Sequence, residues 1–413
     1  MKNIVIVLLL LAIILTGCMP DSDHAVVGTS VANLYRVWET QYPGMAITPS
    51  ETVPPTSTNT RTPTVTITPT RTLTPTRTST TVPTQTGVYH VYPGQSLQAA
   101  INKLAAGNTL YVHAGTYSEK ITVGVSNVTI IGDQAIVDYV DVGYWGVLFR
   151  ISGSYVTISG FEVRNSDYMG VILSGSNISL SNFNVHHSLE NGILITGDNN
   201  LVENSRVWQN CRSNVNGSRT RGGWASGLSA ARRPNNAIIR NNQVYQNWGE
   251  GLSTYEASGT LIEGNEVFDN YVNLYVSDAQ NVIVRNNHVY IPTNPVVMVG
   301  SRVGIMLGDE KYNPASSNIQ ILDNVVENTY RNLYWWQGTQ GGGMNNVVIE
   351  GNTFTNSQYF AGVQINSAPH VGVVFEGNTT RQTNGIQDAY IGNCNQVLFT
   401  GNTWTGSAPC VER

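Results

Sequence analysis

Arg206, Arg212, Arg219, Arg221, Arg232, Arg233 and Arg240 follow one another with no Asp or Glu between them. The chain as a whole carries a net charge of −5, so this is a local cationic cluster on an acidic background. A nucleic-acid partner favours a broadly basic face and is not expected here. A confined set of arginines suits one carboxylate, sulfate or phosphate group, which the guanidinium fork grips bidentately. Pairing of these arginines with Glu250, Glu256 or Asp269 is the structural alternative. Glu250 itself is informative, because the corresponding positions of neighbouring segments read Asn191, Asn273 and Asn332. Asn tolerates turn backbone and bonds its own loop; a Glu there gives up local fit, as functional positions tend to do.

Four aromatic residues recur in step: Trp208, Tyr245, Phe268 and Tyr290. A file of rings offers faces to the C–H faces of sugars, or else forms a secondary core beneath loops. Trp224, Trp248 and Arg302 complete the expected binding set. For chemistry, elimination next to a sugar carboxylate needs a neutralising cation, a base for the α-proton and an acid for the leaving oxygen. Arg219 or Arg221 supplies the cation in this reading, while His187, Tyr271 or Lys311 is the candidate base. A hydrolase would need two carboxylates about 5 to 9.5 Å apart, and Glu250 with Asp269 is the first pair to consider. None of Cys211, Cys394 and Cys410 has a Cys or His neighbour at metal-ligand spacing, and no metal is assigned.

The elements that must position these residues follow from a repeat. Asn242, Asn265 and Asn287 are spaced by 23 and 22 residues. The same slot continues at Asn324, Asn352, Asn378 and Asn402, and backward at Ser205, Phe183 and Phe161. A period in the twenties with short apolar strands is the mark of a β-solenoid, in which each coil buries its apolar side only against its neighbours. Val163, Val185, Val207, Val244, Val267, Val289 and Val326 are the expected inward row, and the aromatics, one residue later, point outward. Two intervals, Ser205 to Asn242 and Asn287 to Asn324, stretch to 37 residues. Both insertions (near 209–223 and 291–303) leave after the same strand, so they should form two walls with a short floor between them.

Upstream, Ser96 caps an expected helix whose apolar face is Leu97, Ala100, Ile101 and Leu104 and which Gly107 ends. It would close the open end of the solenoid. Residues 48–86 alternate Thr with Pro and Arg and bury nothing, which predicts an extended stalk. Residues 18–47 form a short segment with one expected helix over 31–41. Residues 1–17 combine Lys2 with an apolar run from Ile4 to Leu15 too short to cross a bilayer. Their ending, Leu15-Thr16-Gly17-Cys18, resembles the bacterial lipoprotein box, which implies cleavage before Cys18, lipidation of its thiol and a lipid-anchored extracytoplasmic protein on the cell surface. Of the remaining cysteines, Cys394 and Cys410 are the plausible disulfide and Cys211 would be unpaired.

From Val88 to about residue 405 the cap and coils resemble the secreted right-handed parallel β-helix proteins of the pectate-lyase-like group. The resemblance implies an all-β, single-stranded right-handed parallel β-helix of about ten coils with an N-terminal capping helix, over residues 87–413. It does not choose an activity, since that fold carries lyases, hydrolases, epimerases, esterases and adhesins. The Gly-Asp-Asp of polygalacturonase-like chains is missing, Asp133, Asp198 and Asp309 being followed by Gln134, Asn199 and Glu310. Calcium often serves β-helix lyases, yet no acidic cluster for it stands out, and no cofactor is expected. The resulting expectation is a monomeric surface protein that binds and degrades an anionic polysaccharide. The rival is a non-catalytic glycan-binding or adhesive solenoid.

Overall fold

A computed structural model describes residues 87–410 apart from 144–145, 218–224, 299, 311–314, 337–341, 384 and 407. The leader with Cys18, the helix expected over 31–41, the stalk, and Arg219, Arg221, Trp224 and Lys311 lie outside the described residues.

Among the described residues every strand pairing is parallel, and most coils give two strands to a 22-stranded sheet and one to an 11-stranded sheet, while Thr129–Val137 and Thr157–Arg164 each run unbroken through both places in the larger sheet. One coil shows the plan: Ile238–Arg240 and Gln243–Tyr245 belong to the larger sheet, and Glu250–Tyr255 belongs to the smaller. Val163, Val185, Val207, Val244, Val267, Val289 and Val326 stack in register and are fully buried. They belong to one continuous apolar core running from Val91 to Cys410. Side-chain alternation along each strand sends the intervening residues outward.

The bend between the two strands of the larger sheet explains the Asn slot. The residue before it takes a left-handed backbone in coil after coil: Asn182, Asn204, Asn241, Gly264, Asn286, Asp323 and Gly351 all have positive φ. Only Gly, Asn and Asp adopt that conformation cheaply, hence the recurring Asn-Asn and Gly-Asn pairs. The ladder Asn then turns inward and joins the coils. Asn265 Oδ1 accepts from the backbone N–H of Asn242 at 3.0 Å, and its Nδ2 donates to Ile239 O and to Asn287 Oδ1. The chain continues through Asn324, Asn352 and Asn378 to Asn402.

At the N-terminal end the helix α1 spans Leu97–Ile101, with Ser96 Oγ accepting from Ala99 N–H. It is shorter than the expected run to Gly107, because Lys103 and Leu104 bond three residues back and tighten into a turn. Glu119 caps the other terminus, the helix start. Its carboxylate accepts from Ser96 Oγ and from the backbone N–H groups of Leu97 and Gln98, occupying donors a helix start leaves unpaired. Glu119→Ala should lower the unfolding free energy by about 1 kcal/mol, read as a shifted urea midpoint. Near the other end, Cys394 and Cys410 are joined in a disulfide with Cα atoms 5.7 Å apart, and Cys211 is a buried free thiol.

Candidate functional site

The aromatic file exists, in register, on the outside of the larger sheet. Its geometry differs from the expectation of open ring faces. Trp208–Tyr245, Tyr245–Phe268 and Phe268–Tyr290 stack at 5.9, 4.8 and 4.8 Å with interplanar angles of 6°, 1° and 11°. His186 extends the stack onto Trp208, and His288 lies against Tyr290. The strand spacing of about 4.8 Å is also an aromatic stacking distance, so the rings satisfy one another and turn their edges outward. The faces of Tyr245 and Phe268 are both taken. Tyr290 is further tied by its phenol donating to Glu266 Oε1 at 2.9 Å, which together with burial raises its pKa.

Just past this file lies a turn position with left-handed backbone, occupied by His187, Gln209, Gln246 and Asp269 in successive coils. The following residues form a second Asn ladder that the sequence reading missed: Asn210, Asn247 and Asn270, each Oδ1 accepting from the N–H one coil back. Pro292 takes the next place. It has no N–H to pass on, and there the second insertion leaves. The first insertion leaves at Gln209, and its described part, the turn Arg212–Gly217, folds back on residues 188–190 through Cys211, Arg212 and Ser213 N–H bonds. Both insertions therefore depart from one edge of the smaller sheet.

Asp269 anchors the second wall. It is buried, and its two carboxylate oxygens accept from the N–H groups of Val296 and Val297 at 2.7 and 3.1 Å. Burial raises its pKa, against the pull of those N–H groups and of Arg302. Tyr271, next to it, has its ring directly under Gly300, whose φ of +95° leaves no room for a side chain. Arg302 donates its backbone N–H to Tyr271 O at 2.7 Å, and its buried guanidinium lies over the Tyr330 ring. These three candidates are brought together as the root of the wall.

Glu250 is placed elsewhere, and its column differs from the one counted in sequence. Val244 to Leu252 is one residue longer than Val267 to Leu274, so Glu250 pairs with Ser226 and Val272, while Gly251 aligns with Asn273. The comparison therefore fails by one position for Asn273 and Asn332, while Asn191 stays in the column of Ser226 and Glu250. Glu250 is buried on the outer side of the smaller sheet, where Ser226 Oγ donates to its Oε2 at 2.6 Å. Ser226 Oγ meets Ser253 Oγ at 2.9 Å, and Ser253 meets Ser229 at 2.8 Å. Buried Glu190 is the carboxylate that shares Glu250's surroundings: burial first, then both of these charges, push the Cys211 thiol pKa well up. Glu250 is thus engaged by Ser226, and Asp269 by Val296 and Val297.

Across the same outer face, sequence reasoning missed Tyr275 and Glu310. The Tyr275 phenol donates to Glu310 Oε1 at 2.5 Å, and Tyr255 OH lies 3.5 Å from the other oxygen. Burial and then the Glu310 charge hold Tyr275 protonated far above the usual phenol range. Gly308-Asp309-Glu310, directly before an insertion, was the available signal. Ser277 Oγ and the Glu310 N–H both donate to Asp278 Oδ2. Among the described residues no three His, Cys, Asp or Glu side chains are grouped as a metal ion would need.

His186 and His187 sit beside the first insertion, Nδ1 to Nδ1 at 2.7 Å, and Trp248, partly exposed, donates its backbone N–H to Asn210 O. Burial lowers both pKa values, helped by Arg212 at His187 and by His187 at His186. Buried His370 behaves alike: its Nδ1 accepts from Met344 N–H at 3.0 Å and its Nε2 faces Asn366 O, the neutral tautomer. A depressed folded-state pKa means that the unfolded chain takes the proton first as pH falls. Stability should therefore be full above the ordinary His value of about 6.5 and fall below it. Urea unfolding at pH 7.5 and 5.5 checks this, with His370→Gln giving the flatter dependence.

The family model described as "Pel9A-like, right handed beta helix region" matches residues 79–287. No curated protein matches the chain in sequence. Among solved structures, the mannuronan C-5 epimerase AlgE6 A-module of Azotobacter vinelandii superposes with a TM-score of 0.56 at 18% identity, over 76% of this chain and 95% of that one. PfbA, a surface adhesin of Streptococcus pneumoniae, gives 0.52 at 14% identity over 74% and 83%. The PL6 family alginate lyase AlyGC gives 0.52 at 13% identity over 76% and 51%. At such identities the likeness is one of fold.

Proposed function

As a member of the Pel9A-like right-handed β-helix family, the chain is one for which we propose binding and cleavage of an acidic polysaccharide on the outer face of the smaller sheet. One observation carries this reading: buried polar chemistry is concentrated there, with Glu250 on its serine relay and Tyr275 on Glu310, beside the edge from which both insertions rise. A buried relay of this kind costs stability unless every group is satisfied, which favours a role beyond packing. For β-elimination, Glu250 takes the α-proton and Tyr275, held in its protonated form, protonates the leaving oxygen as the C–O bond breaks. Arg219 or Arg221 is the proposed partner of the sugar carboxylate. Engagement of Asp269 by the second wall favours elimination over the two-carboxylate hydrolysis that Glu250 and Asp269 would have served.

Burial of Ser229, Ser253 and Tyr275 favours a second reading, glycan binding without turnover. Incubating the full chain with polygalacturonate, polymannuronate and neutral glycans separates the cases. Ultraviolet absorbance of an unsaturated uronide indicates a lyase, new reducing ends without it a hydrolase, and retention without products a binding protein. We further propose that Cys18 is lipidated and that residues 48–86 hold the solenoid away from a bacterial membrane as a monomer. Cys18→Ser should then move the protein from the membrane to the soluble fraction.

A further inference from the structure

We propose that the end of this same face around Arg331 is a platform for carboxylate-bearing sugar residues, which feeds the Glu250 site; it rests on the reading above. The outward column of the smaller sheet runs Ser229, Ser253, Tyr275, Met306, Tyr334, Gln364, Tyr390. Its first six members are buried, and Tyr390 is 40% exposed. The face therefore opens to solvent at the last strand, Gln387–Ile391, beyond the still buried Ala361–Ile365. Tyr359 and Phe360, at the same opening, are 51% and 44% exposed. Phe360 keeps a φ of 43°, uncommon for a bulky residue, and its ring stands 5.2 Å from that of Tyr390 in a tilted arrangement. Tyr359 stacks on Tyr330 at 6.4 Å, whereas Phe360 and Tyr390 are not closed face to face.

Arg331 supplies the charge. Its guanidinium lies 4.7 Å from the ring centres of both Tyr334 and Tyr359, and its Nε donates to Gln364 Oε1. Three fixed contacts remove most of the rotamer freedom that a surface arginine would lose on binding. Neither Arg331 nor Arg302 forms an ion pair with a described carboxylate. A guanidinium held on a partly exposed residue, close to the exposed rings of Tyr359, Phe360 and Tyr390, matches a sugar that carries a carboxylate on one side and C–H groups on the other. Position agrees. Arg331 lies in the column of Glu250, through Val272 and Val303. Three rungs of about 4.8 Å put it roughly 14 Å from Glu250, a reach of a few sugar rings.

The test is titration calorimetry on the full chain carrying Glu250→Gln, with oligogalacturonate and oligomannuronate, and with the same oligomers after reduction of their carboxyl groups. Arg331→Gln should weaken uronide binding about tenfold or more, with partial recovery in Arg331→Lys, and Tyr390→Ala should weaken it several-fold. In the otherwise native chain the same changes should raise KM and leave kcat unchanged. Carboxyl-reduced oligomers should bind weakly to every variant. Unchanged affinity in both Arg331→Gln and Tyr390→Ala, with cleavage of uronides intact, overturns the platform and leaves the Glu250 site standing. Equal binding of reduced and unreduced oligomers overturns it too. A chain that neither binds nor cleaves any uronide removes both. Should Arg331→Gln fail to fold, the exposed Tyr390→Ala decides alone.

Discussion

Glu250→Gln is expected to reduce turnover of a uronide polymer by at least about a hundredfold, the size of effect that a positioned acid or base supplies. The substitution is nearly isosteric, so the accepting oxygen for Ser226 Oγ can be kept while the charge and the proton-accepting oxygen pair are lost. The fold should survive, since Glu250 is outside the apolar core and its strand pairs on both sides through the backbone. A variant that keeps its circular dichroism and melting temperature but loses product formation supports the assignment. Full activity in a folded variant removes Glu250 from the chemistry. An equal change on Asp269→Asn, accompanied by a lower melting temperature, would show instead that wall position limits the rate.

The second large effect is on stability. Asn265→Ala should cost about 2 to 4 kcal/mol, because a buried polar group left without its partner costs about 1 to 3 kcal/mol and several are affected at once. Without this side chain the Asn242 N–H, the Asn242 Nδ2 and Ile239 O each lose a partner. The neighbouring coils keep their own ladder bonds, so the damage should stay local. Solenoids couple nearest neighbours, and hydrogen exchange should rise most in the coils holding Asn242, Asn265 and Asn287. A shift below about 0.5 kcal/mol, the range of ordinary surface substitutions, would mean that the ladder carries little of the inter-coil energy.

Much of the fold was legible because a solenoid writes its geometry as periodicity. Val163 through Val326, the Asn slot and the aromatic file all fell into register, since parallel pairing turns equal spacing into adjacency. The site was less legible for the same reason. Register counted from Val244 missed the extra residue before Leu252, and that single residue takes Glu250 out of the column of Asn273 and Asn332 and leaves it in that of Asn191 and Ser226. The aromatic file looked like a binding surface because spacing does not say whether rings face a ligand or one another. Glu310 and Tyr275, from strands joined by an insertion, are 35 residues apart, longer than the repeat that organised the reading. Arg331 and Tyr359 drew no attention because their partners come from adjacent coils at a turn rather than from one motif.

The placement of the substrate along the smaller sheet is tested most directly by a crystal structure of the Glu250→Gln chain soaked with a uronide hexamer. The account predicts sugar density on the outer face of that sheet, with one end beside Glu250 and Ser253 and the other at Arg331 and Tyr390. Density lying instead along Trp208, Tyr245, Phe268 and Tyr290, outside the larger sheet, would contradict it.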